Sequence, residues 1–201
     1  MLPGDLFLPA VEIGASVPSR PDNVTDGELC DALASGSLWA VDLLYTRIED
    51  TVDTVLFRVL GATDIDRENL LQRSLQKIIA FIMARRFTGS CSLKSWVALL
   101  TQEVALDALR ACARQRAVLS AAVGFDTVLS ALAMTRKEWA AAVILHDLLG
   151  YGVTEISCLT GVSRSAAQVR LVRGRQDVTD RIGDVVTGVK RKKRDAVSAT
   201  A

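Results

Sequence analysis

The stretch Thr154-Glu-Ile-Ser-Cys-Leu-Thr-Gly-Val-Ser-Arg-Ser-Ala-Ala-Gln-Val-Arg-Leu-Val-Arg-Gly-Arg175 decides the reading of this chain. It reads as two helices broken at Gly161-Val162-Ser163, with Ser163 placed to cap the first turn of the second. Two helices joined by a short Gly-containing turn form a helix-turn-helix, a motif that sets its second helix in the DNA major groove. At about 100° per residue, Ala167, Leu171 and Gly174 share one small, apolar side, which can pack on Ile156 and Leu159. Ser165, Ala166, Gln168, Val169, Val172 and Arg173 occupy the broad opposite side. Packing gains nothing from Gln168 and Arg173 there, whereas a groove reader does. Any two-helix hairpin with Gly at its corner gives the same pattern, so the motif alone leaves plain packing open.

Working outward, the chain has 201 residues, half of them apolar but only 5% aromatic, and Ala, Leu and Val abound. That composition favours helices and supports one or two domains with a real core. No apolar run approaches the roughly 20 residues of a membrane span, and Met1-Leu-Pro-Gly-Asp5 lacks the basic start of a signal peptide. Cys30, Cys91, Cys112 and Cys158 show no metal-ligand or redox spacing, so buried or half-buried thiols in a reducing cytosol are expected. His146 is the only histidine, on the apolar side of its helix near Val143 and Leu149, and no activated Ser or Cys accompanies it. The sequence therefore predicts a cytoplasmic protein that is not an enzyme, with no cofactor, no metal and no membrane insertion.

Net charge is +1 at pH 7, but it is unevenly placed. Residues 1–31 sum to −5, residues 85–116 to +4 and residues 161–201 to +6. Two basic blocks on two helical segments suit a polyanion with two contact sites.

The chain then divides. Residues 1–24 hold all four prolines and read as a disordered leader. Thr25 and Glu28 form a capping box for a short helix ending near Gly36. An apolar stripe at 41, 44, 45, 48, 52, 55, 56 and 59 predicts a helix from Leu38 to Leu60, stopped by Gly61. A second long helix is expected over about Asp66–Arg86, with Leu71, Leu75, Ile78, Ile79 and Ile82 inward. The loop from Phe87 to Ser92 follows, and Ser92 caps a third helix reaching Arg116. Residues 117–133 read as a linker with some helix. Thr135 and Glu138 suggest a further capping box, opening a helix that ends at Gly150. After the helix-turn-helix, residues 185–201 read as a basic disordered tail around Lys190–Arg194. The expected fold is all-α: a helical domain over 25–116, a flexible linker over 117–133, and a helix-turn-helix domain over 134–184.

Four segments, in this order, resemble the extracytoplasmic-function sigma factors of the sigma-70 family, small bacterial subunits that lend promoter specificity to RNA polymerase. Leu44–Gly61 is similar to the family's first long helix. Glu68-Asn-Leu-Leu-Gln72 resembles the Glu-Asp-Leu-Val-Gln segment that docks on the clamp helices of the polymerase's largest subunit. Phe87–Trp96 with Ala105–Arg110 resembles the segment that captures and melts the minus-ten element. Glu155–Arg175 resembles the helix-turn-helix that reads the minus-thirty-five element. The phrasing of Leu145–Gly150 and Leu171–Arg175 is similar to versions associated with myxobacteria-like genomes.

The resemblance implies core RNA polymerase (clamp helices and flap), promoter DNA and an anti-sigma factor as partners. It places polymerase binding on Glu68, Asn69, Leu70, Leu71, Gln72 and Leu75. Minus-ten contacts fall on Arg85, Arg86, Phe87, Gly89, Lys94, Trp96, Glu103 and Arg110. Minus-thirty-five contacts fall on Ser163, Arg164, Ser165, Ala166, Gln168, Val169, Arg170, Val172 and Arg173. Lys94, Arg85 and Arg86 beside Trp96 supply the cations and flat ring that single-stranded DNA needs, although a ring on the inner face of its helix, holding the loop, fits Trp96 equally well.

Departures from the family pattern are specific. Leu99, Gln102 and Glu103 stand where Arg, Arg and Asn are common, and Glu103 adds a carboxylate where phosphate would be repelled. Gln168 and Val169 replace a basic residue and Ser, with Arg164 restoring part of the charge. Asn69 removes a carboxylate, and Arg73 replaces the usual Glu. Two other readings of the residues remain: a stand-alone helix-turn-helix regulator binding duplex DNA by itself, and a helical adaptor binding partner proteins through residues 28–116.

Overall fold

The computed structural model describes residues 23–61, 63, 65–116 and 125–198, without the side chains of 115, 116, 125, 126 and 185–198. Among these residues every regular element is helical. The helices are α1 (Asp26–Ala34), α2 (Leu38–Leu60), α3 (Arg67–Met83), α4 (Leu93–Arg116), α5 (Phe125–Met134), α6 (Lys137–Val143), α7 (Val153–Thr160) and α8 (Arg164–Ser198). A π-helical turn, Ile144–Leu148, continues α6.

Local signals set most boundaries. Thr25 and Glu28 close the capping box of α1, the Thr25 N–H donating to Glu28 Oε2 at 2.9 Å and the Glu28 N–H to Thr25 Oγ1 at 3.3 Å. Gly61, at φ 58°, ends α2, a turn for which glycine is suited. Asp66 Oδ1 caps α3 by accepting from the Asn69 N–H at 3.1 Å, and Ser92 Oγ caps α4 by accepting from the Ser95 N–H at 3.1 Å.

Several expectations change. The leader to residue 24 lies outside the described residues except for its last two, and there Val24 is buried. Val24 and Leu29 both enter the core around the Thr25 cap, the arrangement of a hydrophobic staple, and the Val24 carbonyl accepts from Arg47. Helix α3 stops at Met83 because Arg85 takes φ 54°, the one positive-φ non-glycine among the described residues. Its buried row is Leu70, Ser74, Ile78 and Ile82, while Leu71 and Leu75 are half-buried and Ile79 is exposed. On α2, Val41 and Tyr45 face outward, and Ala40 and Leu43 take their place inside.

Residues 117–124 of the expected linker lie outside the described residues, but 125–133 are helical and pack on α4 and α8. Thr135 caps no helix: its buried hydroxyl donates to the Ala131 carbonyl at 2.9 Å, closing the end of α5, and α6 starts after Arg136 without a side-chain cap. The expected disordered tail continues α8 as far as Ser198, through residues that contain no proline and include Lys and Arg, good helix formers. Cys158, expected buried or half-buried, is exposed.

Helix α4 lies at the centre. It packs on α2 and α3 to one side and on α5, α6, the π turn and α7 to the other. One apolar core runs from Val24 to Val178, with a satellite of Leu145, Ile156 and Ala167. Leu99 of α4 packs on that satellite, which joins the first helical block to the helix-turn-helix. Arg58 Nη1 donates to the Leu148 carbonyl at 3.4 Å across the same junction.

Candidate nucleic-acid interface

The turn between α7 and α8 is built as its residues dictate. Gly161 takes the left-handed conformation, φ 65° and ψ 28°, and its N–H bonds the Ser157 carbonyl, an end that glycine meets at least cost. Ser163 Oγ then accepts from the Ala166 N–H at 3.2 Å, capping α8. Ala167 and Leu171 are buried, with Ala167 against Ile156 and Leu145. Gly174 lies so close to α6 that a Cβ would stand 2.7 Å from both the Trp139 carbonyl oxygen and Val143 Cγ2. The side of α8 expected inward is therefore inward.

Its opposite side is open. Arg164, Ser165, Gln168 and Arg173 are exposed, as are Val169 at 47% and Val172 at 54%. Ser163 is also exposed, and Ala166 is half-buried. Arg170 departs from this set: it is half-buried and lines a groove with Leu99, Glu103 and Leu159, turned toward α4. Arg136 and Trp139, which are not among the expected contacts, adjoin this side, the Trp139 ring being approached by both Arg136 and Arg173. A basic residue three positions before a tryptophan was the available signal, hidden by reading Thr135 as a cap.

Side-chain bonds hold α8 in place. Arg175 Nε donates to Asp147 Oδ2 at 2.9 Å, and a second guanidinium nitrogen bonds Oδ1. This bond holds the Asp147 carboxyl below its usual range, assisted by His146. His146 is half-buried, with Nδ1 2.8 Å from Asp147 Oδ1. The cluster sits on the π turn, where the Leu149 N–H reaches back five residues to the Ile144 carbonyl at 3.0 Å.

Residues 129–178, the segment just described, match the family "Sigma-70, region 4". Over 82% of its length the chain is 25% identical to the ECF RNA polymerase sigma factor SigM of Mycobacterium tuberculosis strain H37Rv, covering 88% of that relative. The chain thus carries a segment that matches sigma-70 region 4 and is similar over most of its length to an extracytoplasmic-function sigma factor. The SigM of the Erdman strain is 24% identical with the same coverage. Among solved structures, CnrH in complex with the cytosolic domain of CnrY overlays with a TM-score of 0.48 at 19% identity, over 76% of this chain and 93% of that one. The sigma factor RpoE in complex with the anti-sigma factor NepR, from Bartonella quintana, overlays at 0.45 and 16%, over 71% and 96%.

The other expected contact segment is differently placed. Trp96 is half-buried in an aromatic cluster, its ring 5.3 Å from Phe87 and 6.5 Å from Phe81. Arg86 stacks on Phe81 at 5.2 Å, and Arg85 pairs with Asp31 at 3.0 Å. Trp96 thus holds the 87–92 loop, in which Gly89 takes φ 72° and Lys94 just beyond is exposed. Two residues are held by partners within the fold. Glu103 pairs with Lys77 of α3 at 2.7 Å, and Arg110 donates to the Ala133 and Thr135 carbonyls at 3.0 and 2.8 Å, closing the end of α5.

On α3 the expected docking residues also divide. Glu68, Asn69 and Gln72 are exposed, Leu71 and Leu75 half-buried, and Leu70 is 3% exposed within the core, where it cannot meet a partner. Among the described residues no group of His, Cys, Asp and Glu could hold a metal ion, and no helix is long and apolar enough to cross a membrane.

Proposed function

We propose that the chain is an extracytoplasmic-function sigma factor that binds core RNA polymerase and directs it to promoters, with α8 reading duplex DNA at the minus-thirty-five element. The supporting observation is the uncovered row Arg164, Ser165, Gln168, Val169 and Val172 on a capped helix within the segment that matches region 4. Gln168 is the base reader in this scheme, since its amide can bond adenine bidentately. The exposed side of α3, Glu68, Asn69 and Gln72 with the rims of Leu71 and Leu75, docks on the polymerase clamp helices. Arg85, Arg86, Lys94 and the loop around Gly89 hold the melted minus-ten strand. RNA synthesis stays with the polymerase, and an anti-sigma factor completes the set of partners.

The two promoter elements lie about 25 base pairs apart, roughly 85 Å at 3.4 Å per step. Helices α4 and α7 touch, so the two DNA-contacting blocks part when both elements are engaged. Footprinting with and without bacterial core polymerase tests the function. Protection at both elements only when polymerase is present, together with transcription from that template, is expected. Protection by the chain alone would identify a stand-alone regulator, and failure to bind core polymerase would refute the sigma-factor role.

A further inference from the structure

Two guanidinium groups from different elements converge on one ring beside the exposed side of α8. The Arg136 Cζ lies 5.0 Å and the Arg173 Cζ 5.9 Å from the Trp139 ring centroid. Both arginines are exposed and Trp139 is half-buried. Among the described residues neither guanidinium has a carboxylate oxygen within the 4.0 Å of an ion pair. The arrangement is fixed by backbone packing, because α8 lies on the Trp139 carbonyl where Gly174 lacks a Cβ. Each cation is attracted to the ring face, but the two cations repel each other. An anion between them converts that repulsion into attraction, and the planar fork of Arg matches phosphate oxygens.

Position along α8 selects the anion. Arg173 lies nine residues beyond Arg164, roughly 13.5 Å along the helix axis. The major groove is about 12 Å wide. At about 100° per residue, Arg173 lies to one side of the face centred on Ser165, Gln168 and Val172, so when that face meets base edges Arg173 turns toward the groove wall, where a strand backbone runs.

We propose that Arg136, Trp139 and Arg173 form a clasp for one phosphodiester of duplex DNA flanking the bases that α8 reads. Arg173 then grips backbone, not a base edge, and Arg136, from before α6, completes the grip. This rests on the promoter-reading function proposed above.

The test uses the reconstituted holoenzyme and a duplex selected by it from a pool randomised over the upstream element. Single phosphates in that duplex are replaced by neutral methylphosphonates, one linkage at a time. The wild-type protein should lose about tenfold in affinity at one or two adjacent linkages. Arg136→Ala should weaken binding by a similar factor, lose its sensitivity at those linkages alone, and lower the salt slope by about one. Arg136 makes no side-chain capping bond, so its truncation leaves the start of α6 intact. Arg173→Ala should leave the selected consensus unchanged. An Arg136→Ala protein with the wild-type methylphosphonate profile, or an Arg173→Ala protein with a new consensus, would overturn the clasp while promoter reading stands. Absence of any selected upstream sequence would overturn both.

Discussion

Helices α8 and α4 both carry residues expected to meet DNA, yet the fold treats them in opposite ways. The front of α8 is buried along one narrow side, at Ala167, Leu171 and Gly174, and open along the other. Helix α4 is enclosed nearly all round: Val97, Ala98, Leu100, Thr101, Gln102, Val104, Ala105 and Leu106 are all buried. The difference is one of neighbours. Helix α8 rests on α5, α6 and α7, on one side, whereas α4 has helices on both. A helix covered on one side keeps a reading face ready, while a central helix must lose part of its cover before its remaining side chains can act.

The seating of α8 is where this comparison breaks most easily. At Gly174 a Cβ would stand 2.7 Å from backbone and side-chain atoms of α6, whereas at Gly183 of the same helix it would meet nothing within 4 Å. Gly174→Leu should therefore destabilise by about 3 kcal/mol, at the upper end for overpacking. Gly183→Ala should stabilise by roughly 0.5–1 kcal/mol through helix propensity. Urea unfolding of both variants checks the pair. An unchanged midpoint for Gly174→Leu would mean that α8 is not held against α6.

The enclosure of α4 makes the next prediction. Gln102 is 0% exposed, and neither its amide nitrogen nor its oxygen has a hydrogen-bond partner. A buried, unsatisfied polar group costs about 1–3 kcal/mol. Gln102→Met keeps the volume and removes the unpaired atoms, so a gain of about 2 kcal/mol is expected by urea or thermal unfolding. If the blocks must part on promoters, this more stable variant should also transcribe less from a two-element template. Loss of stability would show that the Gln102 amide is satisfied in solution, by water or by another group.

The same contrast explains what could be read in the sequence. In α8 the 3.6-residue period, the Gly161 break and the Ser163 cap all concern one helix and its nearest neighbour, and each was legible. Long α2 is legible for the same reason, although in its first turns the core takes Ala40, Leu43 and Leu44 and leaves Val41 and Tyr45 outside. For α4 the periodicity carries no face, because long-range neighbours bury both sides, and Glu103 and Arg110 took partners 26 and 23 residues or more away. Thr135 followed by Glu138 satisfied the capping pattern, but an acceptor four residues earlier, the Ala131 carbonyl, took the hydroxyl instead. The Trp139 cluster was hidden because it joins the residue before α6 to the third turn of α8.

On the open side of α8 the next effect concerns sequence choice. Gln168 is exposed and makes no side-chain bond among those described, so its amide is available to adenine. Gln168→Lys should favour guanine at one position of the upstream element by about tenfold, 1.4 kcal/mol, with little change in stability. Parallel selections from a randomised element measure this, and an identical consensus would remove Gln168 from the readers.

The smallest effect sharpens the account of α4. Glu103 and Lys77 form an ion pair with side chains 31% and 25% exposed. Such a pair, partly screened by water, contributes about 1 kcal/mol or less. Glu103→Gln should lower stability by that amount, and the loss should shrink as salt is raised. In a Lys77→Met background the same substitution should cost almost nothing, since the coupling is gone. A second readout has the opposite sign. Once α4 is uncovered on a promoter, the Glu103 carboxylate opposes DNA phosphate, so Glu103→Gln should strengthen promoter opening and make it less sensitive to salt. A stability loss without any change in opening would mean that Glu103 stays with Lys77 throughout, and that this side of α4 never meets the strand.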